Sequence, residues 1–466
     1  QAEANQRRGR TGRVEKGIYI SLYDQKCFDD MEAESTPDIL QKDLSMTQLL
    51  LYRLGESLET FPFIDNPSAS QIILANYNIS RLRMIGNDKR LTALGEFVSS
   101  IPVSDPKSAV NLWTSLVITY NRNKNLTEME MMMRRASPYL KIMTIMSALT
   151  EVRTENIIRY NQKTMDRFVS ELERQGSNVK PFLLRRLFFE RYHDNHLDLL
   201  TSILQNTTLQ NFNDQKNFLI ENLNDYDIGI FIIFSTFDKY FSQLRADYEF
   251  DIEQDEKILM NDTDGIFSKA YEQMKEELMR LPSFLDNNSY SQIPYKEDIL
   301  GLYLKYIEIR NAIIKTFSEK IMGNKRLINW LSWILYGYGK VSINVKEYYS
   351  RSLIENVKII LATGYQISLA KFNSPSGRFK ILGSKYSMRV GDNSVMSILN
   401  RDFMRLPYIS DLYLGIQDST MSFDSNPRSK EIRRDVVLNR GFMLRGRDVQ
   451  RGKELLREVF EKSSWD

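Results

Sequence analysis

The spacing of apolar residues changes period once along this chain, and that change limits the folds open to it. From about Pro102 to Gly339, leucines and aromatics recur three and four residues apart, and no unit of the stretch repeats. That is the spacing of helices that each bury one stripe. After a helix that ends near Gly364 the period drops to two. "SLAKFNSPSGRFKILGSKYSMRV" reads as short alternating strands punctuated by Ser, Pro and Gly. A pattern of one period does not settle into the other structure, so a large helical unit must be followed by a small β unit. At 466 residues the chain is also too long for a single core. The expectation is a multidomain protein of three or four domains, predominantly α with α+β parts.

Composition removes several classes of protein. Apolar residues make up 42% and charged residues 26%, as in ordinary folded chains. The longest strongly apolar run, Ile228 to Phe234, is far short of the roughly 18 residues that cross a bilayer, so no membrane partner is expected. A net charge of +3 gives only a weak global field, and binding of nucleic acid would need local basic surfaces. Cys27 is the one cysteine, which excludes an internal disulfide framework and a cysteine-based zinc site. A reducing location is expected: cytoplasm, nucleus, a viral replication site or a virion, not secretion. His193 and His196 stand three apart and could share a metal on one helical turn, but nothing nearby completes four ligands, so no metal site is expected. The chain starts without Met and without a signal or transit pattern, and the expectation is that sequence precedes it.

Gln6 to Arg13 reads "QRRGRTGR", four arginines and two glycines in eight residues. On a continuous helix, Gln6, Arg10 and Arg13 stand at i, i+4 and i+7 and share a face. Gly9 and Gly12 would each cost that helix about 1 kcal/mol relative to alanine, a cost that makes sense where a ligand approaches the backbone closely. Guanidinium stays charged and offers a planar fork of donors to phosphate oxygens. A solvated basic tail is the alternative on charge alone. The spacing Q-R-x-G-R-x-G-R resembles motif VI of superfamily 2 helicases, especially the DEAH and RNA-helicase-A-like group and their viral relatives. The resemblance implies that the motif lies on a second RecA-like domain and faces nucleotide held by the first. Arg10 and Arg13 would then be arginine fingers on the triphosphate, with Gly9 beside it, Gln6 orienting the attacking water and Arg7 in support. Such fingers contribute on the order of 10³ to 10⁵ in phosphoryl-transfer rate.

Downstream segments follow in the family's order. Residues 1–33 would be the C-terminal edge of the second RecA-like domain, with the alternation from Ile18 to Tyr23 resembling its last strand and Cys27 a structural thiol on the helix that follows. Residues 34–102 resemble the winged helix. It would start with an amphipathic helix carrying Ile39, Leu40, Leu44, Leu49, Leu50, Leu51 and Leu54, opened by Pro37 and closed by Gly55. Asn87 and Asp88 suit a tight hairpin turn, with Lys89 and Arg90 on the wing. Residues 103–345 have the size and place of the helical ratchet domain, within which "DNHLDLLTSIL" resembles a family segment and "FDKYFSQLRADYEFDIEQDEKILMNDTDG" looks like an insertion. Residues 346–425 resemble the family's oligonucleotide-binding barrel. There Lys371, Arg378, Lys380, Lys385 and Arg389 interleave with Phe372, Phe379 and Tyr386, the mixture that tracks a backbone and stacks bases. Half of those rings could instead fill the barrel, which makes the cations the firmer candidates. Residues 426–466 form a basic extension ending in a charged helix from about Asp448 to Lys462, either solvated or binding phosphate.

A nucleotide pocket is missing from this sequence. "GYGKVS" at Gly337 to Ser342 lacks the spacing and the hydroxyl of a phosphate-binding loop, and "EQDEK" at Glu253 to Lys257 follows an acidic stretch rather than an apolar strand. The resemblance therefore implies the C-terminal portion of an NTP-dependent RNA helicase that couples ATP hydrolysis to 3′-to-5′ movement. ATP and Mg²⁺ would be held mainly by a preceding half, and this chain alone would be inactive. Single-stranded RNA or a 3′-tailed duplex is the implied partner, with a protein activator on the winged-helix and barrel surface. A non-enzymatic RNA-binding adaptor and a viral DNA helicase remain open as alternatives.

Overall fold

Local hydrogen bonds and glycine stops explain most of the element boundaries. The computed structural model describes residues 1–12, 14–34, 36–123, 139–152, 174, 296–320, 351–373, 376–391, 394, 409–425 and 432–461. They divide into two units, one of Gln1–Arg81 with Ile85–Leu91 and one of Leu82–Met84 with Thr92–Asp466.

In the first unit, helix α1 (Ala2–Arg8) stops short of the full motif. Gly9 caps it, a turn follows, and Gly12 takes a positive φ of 77° that an L side chain resists. The continuous helix expected through Arg13 therefore ends at Arg8. The strand expected from Ile18 is not formed either. Ile18, Ile20 and Leu22 are 87%, 77% and 98% exposed, and no strand among the described residues pairs with them. Helix α2 (Gln25–Asp29) begins as the sequence suggests, because the Asp24 carboxylate accepts a hydrogen bond from the Cys27 backbone N–H at 2.7 Å. That bond holds the Asp24 carboxyl below its ordinary pKa. The free thiol of Cys27 is exposed, a surface position rather than a core one.

The amphipathic segment after Pro37 is broken in two. A 3₁₀ turn covers Asp38–Leu40 and helix α3 covers Ser45–Arg53. Between them the Asp43 side chain accepts from the Ser45 N–H at 2.7 Å, offering the backbone an alternative to a helical bond. Gly55, at φ 82°, then ends α3 as expected: its N–H donates to Tyr52 O and that of Glu56 to Leu51 O, the paired bonds of a glycine stop. Helix α4 (Ala69–Arg81) lies against α3, and Leu44, Leu51, Leu58 and Ala75 form the core between them. A short hairpin closes the unit, with Ile85 paired to Leu91 and the turn at Asn87 and Asp88.

In the second unit, α5 (Ala93–Val98) is capped by the Thr92 hydroxyl. It packs on α6 (Pro106–Asn123), which opens with Pro106 behind Asp105, whose carboxylate accepts from Lys107 N–H. Helices α7 (Tyr139–Glu151) and α8 (Lys296–Lys320) follow, α7 lying between α6 and α8 and buried from Tyr139 to Leu149. Helix α9 (Arg351–Tyr365) crosses α6 where Gly364 meets it. A Cβ on Gly364 would run into the Lys107 carbonyl oxygen. The Asn111 side-chain oxygen accepts from Gly364 N–H at 3.0 Å and from the Thr363 hydroxyl at 3.2 Å.

Beyond α9 come strands β1 (Leu369–Asn373), β2 (Arg378–Ile381), β3 (Ser387–Val390), β4 (Leu412–Ser425) and β5 (Ile432–Arg445). They close a barrel in the order β1-β2-β3-β5-β4, antiparallel except where β3 meets β5. Residues beyond 425 are thus not a separate extension. Val436, Val437 and Leu438 pair with β3, and the apolar alternation there is hidden in the sequence by interleaved arginines. The charged helix is found as α10 (Gly446–Glu461), packed on α9 with Gly452 at 2.6 Å, for an added Cβ, from the Ala362 Cβ.

His193, His196 and the segments "DNHLDLLTSIL", "EQDEK" and "GYGKVS" lie outside the described residues, as does Arg13. Among the described residues no group of three or more metal-ligating side chains gathers, and no helix is long and apolar enough to cross a membrane.

The crossing at Gly364 predicts that Gly364→Ala destabilises the chain by about 1–3 kcal/mol or more, since backbone rather than a flexible side chain meets the new carbon. Gly301, inside α8 with open space around it, is the control. Gly301→Ala should stabilise by roughly 0.5–1 kcal/mol. Urea unfolding midpoints with unchanged m-values would show both signs.

Candidate functional site

The arginine motif and the barrel cations form two separate candidate sites. At the first, Gln6 is exposed on α1. Gly9 ends that helix, its N–H donating to Asn5 O at 2.8 Å, and a Cβ there would meet only backbone oxygens of its own helix. Arg10 follows in the turn, exposed, its N–H donating to Arg7 O at 3.2 Å. Arg13 is outside the described residues. Gln6 and Arg10 are thus exposed on either side of a glycine turn, rather than on one helical face.

Arg7 has a different environment. It lines an open cleft of about 430 Å³ with Tyr19, Tyr23, Glu3, Glu32 and Glu34. The Tyr19 and Tyr23 hydroxyls lie 3.0 Å apart, and this hydrogen bond raises the Tyr23 pKa above its ordinary value. With three carboxylates to one guanidinium the cleft does not suit a triphosphate.

The barrel brings its cations together on one face. Register sets Lys371 of β1 directly opposite Lys380 of β2, and Asn373 opposite Arg378. Across the next pair Lys380 faces Ser387 of β3, and the same register carried one step on puts Arg389 beside Arg378. Residues opposite one another share a face. Two cross-strand rows result: Lys371, Lys380, Ser387, then Asn373, Arg378, Arg389. Lys371, Lys380 and Arg389 are exposed and Arg378 half-buried, while Lys385 is exposed in the turn between β2 and β3.

The aromatic residues divide by the same alternation. Phe372 and Phe379 are a directly opposed pair pointing inward, both buried and edge to face at 5.1 Å. Tyr386 is half-buried with the Lys385 ammonium 5.5 Å from its ring centre. Sequence reading missed Tyr413 of β4, which pairs with Lys371 and has that ammonium 5.4 Å over its ring. The alternation of "DLYLGI" was the available signal. Among the described residues none of Lys371, Lys380, Lys385 and Arg389 is held in an ion pair. Lys371 and Lys380 are like charges directly opposed, an arrangement that is destabilising in a sheet.

Comparison with characterised proteins adds a relationship to this geometry. Over 117 residues the chain is 35% identical to the ATP-dependent RNA helicase HrpA homolog of Haemophilus influenzae, and over 115 residues it is 36% identical to the ATP-dependent RNA helicase HrpA of Escherichia coli K12. Each match covers 23% of this chain and 9% of the relative's length. No protein-family model matches the chain. Over that stretch the chain is related to ATP-dependent RNA helicases.

The division of the rings predicts opposite roles for neighbouring aromatics. Phe379→Ala should cost about 3–5 kcal/mol by emptying the barrel interior. Tyr386→Ala, at the rim, should cost far less. Thermal unfolding of the two variants side by side checks this, and equal losses would mean that the inward pair does not carry the barrel.

Proposed function

We propose that this chain is the C-terminal portion of a DEAH-like, NTP-dependent RNA helicase. The observation that carries the reading is the 35% identity to an ATP-dependent RNA helicase. The QRRGRTGR motif also supports it, because its glutamine, arginines and glycines have the order of motif VI. The described fold supports it further. A closed five-stranded barrel with β3 beside β5 suits the oligonucleotide-binding module, and helices α3 and α4 with the hairpin at Ile85 to Leu91 suit a winged helix. Helices α6, α7 and α8 would belong to the ratchet domain, and residues 1–33 to the edge of a second RecA-like domain. Exposed Ile18, Ile20 and Leu22 favour that last assignment, since an alternating apolar strand needs a sheet to complete.

On this reading the preceding half of the protein holds ATP and Mg²⁺, and hydrolysis of the terminal phosphoanhydride powers 3′-to-5′ movement along RNA. Arg10 fits a phosphate partner: it is exposed, flanked by Gly9 and Gly12, and free of a carboxylate ion pair among the described residues. Its guanidinium would neutralise charge that builds on the phosphate oxygens, beside that of Arg13, and Gln6 would orient water. The barrel face would hold single-stranded RNA, and a protein activator would dock on the winged helix or on the barrel.

In the full-length protein, Arg10→Ala and Arg13→Ala should each lower RNA-stimulated NTP hydrolysis by on the order of 10³-fold with RNA affinity nearly unchanged. Undiminished turnover in both would refute the assignment. Competition between single-stranded RNA and DNA for the same protein tests the nucleic acid, and stronger DNA binding would favour a DNA helicase.

A further inference from the structure

The turn that carries Arg10 is supported from two sides, and only one of them lies within the motif. On the side of α1, Gly9 N–H donates to Asn5 O at 2.8 Å, Arg10 N–H to Arg7 O at 3.2 Å and Thr11 N–H to Arg8 O at 3.1 Å. On the other side the chain comes back. Past Gly17 it runs on to Tyr19 and Tyr23, which line the same cleft as Glu3 and Arg7 of α1. Where it returns, Gly17 lies directly against the turn. A Cβ built there would stand 2.5 Å from Thr11 Cγ2, 3.0 Å from Gly12 N and 3.5 Å from Gly12 Cα. Thr11 is accordingly half-buried, whereas Gln6 to Arg10 and Gly12 are exposed. Gly17 does not have a positive φ, so lack of space rather than backbone conformation calls for glycine at this position.

We propose that Gly17 is a positioning residue for NTP hydrolysis: lacking a side chain, it lets the returning chain brace the Thr11–Gly12 turn and so fixes where Arg10 points. The proposal rests on the helicase reading above and adds a residue to it. Thr11 and Gly12 follow Arg10 directly, so a shift of the turn carries the Arg10 backbone with it. Of the two atoms that a methyl group at residue 17 would meet first, Thr11 Cγ2 belongs to a stiff β-branched side chain and Gly12 N to the backbone. Neither yields without moving the turn. A group that neutralises transition-state charge is sensitive to such movement, and a misplacement of about 1 Å can lower a rate on the order of 10²-fold. Folding is less exposed to the change, because Gly17 is on the surface and its nearest neighbours are the turn itself.

The test is Gly17→Ala in the full-length protein, made alone and together with Thr11→Ser, which removes the methyl group that the new Cβ would meet. In RNA-stimulated NTP hydrolysis, kcat of Gly17→Ala should fall on the order of 10²-fold. KM for the NTP, RNA affinity and Tm should stay nearly unchanged, the split expected of an interaction made only in the transition state. In the Thr11→Ser background the same Gly17→Ala change should lower kcat by a much smaller factor. A loss of equal size in both backgrounds would overturn the proposal, and so would a lowered Tm. If Gly17→Ala turns over normally while Arg10→Ala does not, Gly17 has no positioning role and the helicase reading stands. If both turn over normally, the assignment of Arg10 falls and the proposal falls with it. A loss in Gly17→Ala beside a fully active Arg10→Ala would also overturn it, by showing that residue 17 acts through something other than Arg10.

Discussion

Where α9 passes α6, the backbones approach so closely that only hydrogen at the α-carbon of residue 364 fits, and Asn111 ties the contact with two hydrogen bonds. The second unit is organised around this crossing. Two residues earlier Ala362 receives Gly452 of α10, so α9 is held on both sides by small residues. Tyr365 then takes the lysine ammonium of Lys107 over its ring and meets Phe442 of β5 edge-on at 4.8 Å, which ties the helices to the barrel. A single helix end thus sets the position of the first strand, and Ser368 completes the joint by donating to Ile416 O of β4.

That joint explains how a short, strongly charged segment makes a barrel at all. β2 and β3 have four residues each and bury only alternate positions, too little to hold alone. The long β4 and β5 pair supplies the frame, and β5 closes the ring by running parallel to β3. With the interior filled by Phe372, Phe379, Met388 and Leu438, every intervening side chain is forced outward. The basic face is therefore a consequence of packing: once the apolar residues choose the inside, period two leaves the cations no other direction.

At the N-terminus, glycines override the helical spacing. Helical spacing would gather Gln6, Arg10 and Arg13, yet Gly9 and Gly12 turn the chain after Arg8. The same glycines that suggested a close ligand also made the continuous helix unfavourable. Similarly, the run around Ile18 alternates as a strand should, but a strand exists only where another strand accepts its hydrogen bonds. Local stops were more legible. Gly55, the Asn87–Asp88 turn and the start of α2 all lie where the residues place them, because a cap or a positive φ is settled within a few residues.

From the sequence alone came the order of the parts, the helical and strand periods, the absence of a disulfide framework and the cations that alternate with aromatics. Tertiary structure decided which of those aromatics turn inward, that Lys371 stands opposite Lys380, and that the residues after 425 are the barrel's last strand and a packed helix. The physical reason is the range of the interactions. Period and capping are properties of neighbours along the chain, whereas face, register and closure depend on partners distant in sequence, whose pairing energy no local window contains.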